Sequence, residues 1–108
     1  MSTSARGNAA ENFVAASMRS EGWTVGSMRH GKGGGDLIAI HPTRPPKLVE
    51  CKKAPKRGVL FGGGYFSREQ RQDMRDTPRP PDTELWLAWV KGSGEKREVV
   101  WIAETEWP

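Results

Sequence analysis

Glycine and proline divide this chain before any other signal does. Thirteen glycines and eight prolines in 108 residues gather at Gly31-Lys-Gly-Gly-Gly35, His41-Pro-Thr-Arg-Pro-Pro46, Gly62-Gly-Gly64, the Pro78, Pro80 and Pro81 cluster, and Gly92-Ser-Gly-Glu95. Glycine adopts turn geometries closed to other residues and proline withholds a backbone donor, so both end regular elements. What lies between must be short. No stretch approaches the ~20 apolar residues of a membrane-spanning helix. Met1-Ser-Thr-Ser-Ala-Arg6 lacks the apolar core of a signal peptide, so an intracellular, cytoplasmic location is expected. The length suits one domain over residues 1–108 with one modest core.

The pieces carry periodicities. Over residues 6–21, Ala10, Phe13, Val14, Ser17 and Met18 repeat as one helical stripe, and Gly22 is the expected C′ residue. Glu11 stands at the edge of that stripe, one turn before Ala15. Trp23–Arg29, Asp36–His41 and Lys47–Lys53 read as strands. Ser67 followed by Gln70 reads as a capping box opening a polar helix of about ten residues. Glu84–Val90 and Arg97–Ala103 read as a closing hairpin across Gly92-Ser-Gly-Glu95. The predicted order is α-β-β-β-α-β-β, an α/β fold with a mixed sheet and flanking helices.

Charge is uneven along the chain. The net charge is +4, yet residues 1–79 hold 14 Lys/Arg against 7 Asp/Glu, and residues 80–108 hold 3 against 6. A basic front behind which an acidic back follows suits an anionic partner, nucleic acid being the commonest. A solvated face with no partner is the plainer alternative. Cys51 is the one cysteine, so no internal disulfide forms, and with His30 and His41 it has no zinc-ligand spacing.

The chemistry concentrates in Gly33-Gly-Gly-Asp36-Leu-Ile-Ala-Ile40 and Leu48-Val-Glu50-Cys-Lys52. On a strand, Glu50 and Lys52 share a face and Val49 and Cys51 share the other. Leu37, Ile38, Ile40, Leu48 and Val49 mark both strands as central and buried, and charges there need partners or a function. If the strands pair, Asp36 and Glu50 meet at one end of the sheet. Two adjacent carboxylates repel unless a cation separates them, and hard oxygen donors select Mg2+ or Mn2+ over zinc. Gly26-Ser-Met-Arg-His-Gly31-Lys32 mimics part of a phosphate-binding loop, but Gly33 replaces the required Ser or Thr. Cys51, facing away from Glu50 and Lys52, is not the nucleophile. Lys53, Lys56 and Arg57 interleaved with Phe61, Tyr65 and Phe66 suit a loop that follows a phosphate backbone and stacks on a base; aromatics capping the core are the alternative. Arg29, Lys32, Arg68, Arg71 and Arg75 extend the basic face, and His30 beside the glycines is a further candidate phosphate contact.

Asp36, thirteen residues, then Glu50-Cys51-Lys52 resembles the signature of the PD-(D/E)XK nuclease superfamily, with Gly35 where a proline is usual. Arg6-Gly7-x-x-x-Glu11, Gly22-Trp23, Met28-Arg29 and Glu50-Cys51-Lys52-Lys53 resemble the archaeal-type Holliday junction resolvases, and Ser67-x-x-Gln70 is similar to these and to the VRR-NUC nucleases. The resemblance spans about residues 6–75 and implies a restriction-endonuclease-like fold. It further implies Asp36 and Glu50 as ligands of Mg2+, for which Mn2+ substitutes, with the Cys51 carbonyl and Glu11 completing the set. Lys52 would orient the attacking water, and Arg6 and Gln70 would contact phosphate or water. The implied reaction is in-line hydrolysis of a phosphodiester in branched DNA. Flap-, nick- or end-directed nucleases and a non-catalytic DNA-binding module are the alternatives. The apolar residues on both faces of the last two strands, Leu85 to Val90 and Val99 to Ile102, require a covering helix or a second subunit, and the resemblance implies a homodimer.

Overall fold

The computed structural model describes residues 2–28, 36–54 and 66–108, with side chains from Ala9 onward in the first segment. The elements are α1 (Ser2–Ser20), β1 (Thr24–Ser27), β2 (Leu37–Ile40), β3 (Lys47–Lys53), α2 (Arg68–Asp76), β4 (Glu84–Lys91) and β5 (Glu98–Ala103). Their order is the one expected from the sequence. Short 3-10 turns lie between β4 and β5 and after β5. The five strands form one mixed sheet in the order β1-β2-β3-β4-β5. Only β3 and β4 run parallel; the other neighbours are antiparallel. A parallel pair requires a long crossover, and the segment carrying α2 supplies it.

α1 covers one face of the sheet. Ala10, Val14, Ala15 and Met18 are buried against Val25, Leu37, Ala39, Val49, Cys51, Ala88 and Val90. The helix ends as its sequence demands. Gly22 has φ +94°, its N–H donates to the Arg19 carbonyl, and the Trp23 N–H reaches back to the Met18 carbonyl. This is the paired bonding of a Schellman motif, and Trp23 and Met18 pack together beneath it.

The opposite face is covered by Phe66, Met74 and Trp107, which pack on Leu48, Leu85 and Leu87. α2 starts at a complete capping box: the Ser67 hydroxyl accepts from the Gln70 N–H, and the Gln70 carboxamide accepts from the Ser67 N–H. Arg79 closes its other end, donating to the Arg75 and Thr77 carbonyls. The Trp107 indole donates to the Ile102 carbonyl and meets Phe66 edge-on at 4.9 Å.

Of the two covers expected for the apolar faces of β4, the chain itself supplies one: α1 lies on one face and Phe66, Met74 and Trp107 on the other. β5 is the sheet edge, its Val99 to Ala103 half-buried. Ile40, expected inside, is 52% exposed: on the same strand face Ile38 packs against the Phe66 cluster, and Ile40, the last residue of β2, lies beyond it. Among the described residues no helix is long and apolar enough to cross a membrane.

Candidate functional site at the end of β3

β3 is hydrogen-bonded on both sides, and its ladder with β2 sets the site. Leu37 lies opposite Val49, so Asp36, one residue earlier, stands opposite Glu50. The Asp36 N–H donates to the Val49 carbonyl at 2.8 Å, and its own carbonyl accepts from the Met28 N–H. The next β3 donor, the Cys51 N–H, instead meets the Asp36 carboxylate, with Oδ2 accepting at 2.7 Å. A side chain thus continues the sheet where the backbone of β2 has stopped. The bond is charge-assisted and fixes one carboxylate oxygen.

Glu50 and Lys52 project from the face that carries Leu48, as strand alternation requires. Lys52 Nζ lies 3.4 Å from Glu50 Oε2, and the two side chains are 21% and 13% exposed. The partners across in β4 are Leu87 and Trp89. The Trp89 indole N–H, on the same face beside Lys52, is buried and has no acceptor among the described residues.

Cys51 projects oppositely, into the core beneath α1. Burial drives its thiol far above the ordinary thiol range, and the negative charges of Asp36, Glu11 and Glu50 drive it further. Such a thiol favours its protonated form, and Cys51 faces away from Glu50 and Lys52, as expected. Asp36 is bonded to the Cys51 N–H and Glu50 directly precedes Cys51 on β3, and the charge of Glu11 on α1 also acts on the thiol. Glu11 is half-buried on α1, one turn before the buried Ala15. Among the described residues, no three His, Cys, Asp or Glu stand in a ligating arrangement.

The remaining candidates divide. Lys53 ends β3, exposed. Arg68 is exposed on the first turn of α2. The Gln70 carboxamide oxygen is committed to the capping box. Arg71, expected on a DNA-facing surface, is 7% exposed and donates through Nη1 to the Phe66 carbonyl; it holds the start of α2 against the chain that precedes it. Arg75 pairs with Glu104 at 2.7 Å and lies over Trp107. Arg29, His30, Lys32, Lys56 and Arg57, the aromatics Phe61 and Tyr65, and the Arg6 side chain lie outside the described residues.

Two features escaped the sequence reading. Lys47 sits among three indoles, 4.5 Å from the Trp86 centroid, 5.0 Å from Trp23 and 5.9 Å from Trp101. Arg97 returns from the acidic C-terminal part to stand beside the end of β3. Three separated tryptophans were the only clue to the first, and the hairpin turn the only clue to the second.

Comparison with protein-family models, curated proteins and solved structures finds no match.

Proposed function

We propose that this protein is a metal-dependent, structure-selective endodeoxyribonuclease with a restriction-endonuclease-like core, acting on branched DNA as a Holliday junction resolvase does. The observation that carries the reading is the Asp36 carboxylate bonded to the Cys51 N–H, opposite a half-buried Glu50–Lys52 pair.

The donor chemistry suits Mg2+, with Mn2+ as a substitute: hard carboxylate oxygens. Asp36 and Glu50 would hold the ion, aided by Glu11 and the Cys51 carbonyl. When bound, it would supply charge stabilisation at a phosphodiester and lower the pKa of a coordinated water. The chain's own groups do the positioning. The Cys51 N–H orients one oxygen of Asp36 and leaves the other for a ligand. Lys52, held by Glu50, keeps an ammonium where an attacking water and a phosphate oxygen would meet. Basic residues of the front, Lys53 and Arg68 among them, would meet flanking phosphates. A homodimer would present two such sites to opposing strands.

The test is incubation with Mg2+ and labelled four-way junction, flap, nicked and linear duplexes. Paired symmetric nicks in the junction alone support the reading. Cutting of flaps, nicks or ends instead transfers it to a VRR-NUC-like or restriction-like nuclease. No cutting of any substrate with Mg2+ or Mn2+ refutes it, and DNA binding without cutting would make the protein a binding module.

A further inference from the structure

A cavity of about 260 Å3 opens where the C-terminal ends of β3 and β4 meet α1, lined by Ala10, Lys53, Val90, Gly92, Ser93 and Arg97. Its charged lining is cationic. Lys53 and Arg97 contribute two positive side chains, and among the described residues no carboxylate lines the cavity and neither cation belongs to an ion pair. Two like charges at one concavity repel, and an anion between them removes that cost.

Tertiary structure assembles this pair. Lys53 lies opposite Val90 on the parallel strand, and the Ala54 N–H bonds the Val90 carbonyl, which fixes the end of β3. The β4–β5 hairpin brings Arg97 back to the same place. Its turn depends on Gly92, at φ +80°, where an added Cβ would stand 2.6 Å from the Lys96 carbonyl oxygen. The Arg97 guanidinium is then held 5.8 Å over the Phe13 ring of α1. A planar fork restrained by an aromatic face loses little entropy on binding a phosphate. The small side chain of Ala10 leaves the space open.

Location gives the ligand. Lys53 lies two residues beyond Cys51 on the same strand face, about 7 Å, and Ala10 immediately precedes Glu11. Lys53 projects from the α1 face with Cys51, so the cavity lies on the Glu11 side of the strand end, around that end from Glu50 and Lys52. We propose that it seats one backbone phosphate of the substrate strand, flanking the phosphodiester at Asp36 and Glu50, with Lys53 and Arg97 gripping the same phosphate. This rests on the nuclease reading above. It assigns Arg97 to DNA contact, although it belongs to the part of the chain whose net charge is acidic.

The experiment measures binding of a labelled four-way junction to the full chain by fluorescence anisotropy, metal-free with EDTA, across a salt series. One phosphate contact contributes about 0.9 to the slope of log K against log salt, so its loss costs roughly eight-fold in affinity near 0.1 M salt. Arg97→Gln and Lys53→Gln are each expected to lose a measurable part of that, at least about two-fold, and the double variant the whole of it. The double variant should lose little more slope than one contact, because both cations serve one phosphate. Lys96→Gln, in the same turn but outside the cavity, should change affinity less than two-fold. Wild-type affinity and slope in Arg97→Gln and Lys53→Gln overturn the proposal, as does a Lys96→Gln loss equal to that of Arg97→Gln. Should Arg97→Gln fail to fold without its Phe13 contact, Ser93→Glu, which sets a carboxylate in the cavity lining, takes its place: it should lose at least as much as Arg97→Gln was expected to, and wild-type affinity overturns the proposal. A wild-type chain that binds no DNA overturns the nuclease reading itself; DNA binding that ignores both cations removes only the phosphate seat.

Discussion

Lys47 offers the sharpest test of how this fold is held together. Its ammonium lies within 6 Å of three indole centroids, at 4.5, 5.0 and 5.9 Å, and Trp86 and Trp101 meet edge-on at 6.2 Å beside it. The three rings come from different places: Trp23 follows α1, Trp86 is on β4 and Trp101 on the edge strand β5. One cation therefore ties the start of β3 to the helix end and to both C-terminal strands. A cation over an aromatic face is worth ~0.5–1 kcal/mol when exposed and ~2 when desolvated. Lys47 is half-buried, and the rings share one charge, so about 2 kcal/mol in all is expected rather than three full terms. Lys47→Gln keeps most of the stem and removes the charge. It should lower the unfolding free energy by about 2 kcal/mol, equivalent to about 8 °C in Tm for a chain this size. Lys47→Arg should lose less than half as much. Urea unfolding followed by circular dichroism is the assay, since indole fluorescence would report the substitution itself. A double-mutant cycle with Trp86→Leu, at the nearest ring, should give a coupling of about 1 kcal/mol. Equal losses for Gln and Arg, or a coupling indistinguishable from zero, would show that the stem's packing and not the charge holds the three tryptophans.

Other substitutions probe single features. Ser67→Ala removes half of the capping box and should cost about 1 kcal/mol in urea unfolding. Gly92→Ala combines a positive φ with a backbone contact at 2.6 Å, so it should cost at least ~1–2 kcal/mol and weaken the β4–β5 hairpin, read as faster amide exchange there. The Cys51 thiol is raised above its unfolded value by burial and then by Asp36, Glu11 and Glu50. Its contribution to stability is whole below the unfolded thiol pKa of about 8.5 and declines as pH rises above it, by up to about 1.4 kcal/mol per pH unit. Cys51→Ala should flatten that alkaline slope; an unchanged slope would refute the assignment. Asp36→Asn should abolish cleavage while leaving junction binding equal or tighter, because a carboxylate–phosphate repulsion is removed; lost binding would mean that Asp36 does not stand at the reacting phosphate.

What could be read in the sequence were features written in neighbouring residues. The end of α1 at Gly22, the Ser67–Gln70 box and the hairpin at Gly92 each depend on residues within a few positions, so residue type and spacing suffice. Strand alternation likewise separated Glu50 and Lys52 from Cys51, and the breaks at glycine and proline set the element order. The sign of the exposed surface was only half legible. Arg71 counted as a basic surface residue along the chain, yet the fold buries it against the Phe66 carbonyl. Ile40 continued an apolar strand, yet it falls outside the core. Both depend on which part of the sheet a distant segment covers.

Only the tertiary structure decided which distant residues meet. Register placed Asp36 opposite Glu50 and turned its carboxylate to the Cys51 N–H. The parallel pairing of β3 with β4 and the return of β5 gathered Trp23, Trp86 and Trp101 around Lys47, and set Arg97 beside Lys53. Such contacts join residues tens of positions apart, and no local pattern encodes them, because they follow from strand order and burial rather than from spacing. The glycine and proline punctuation determined how many short pieces there would be and in what order; hydrogen bonding between them determined which charges would face one another.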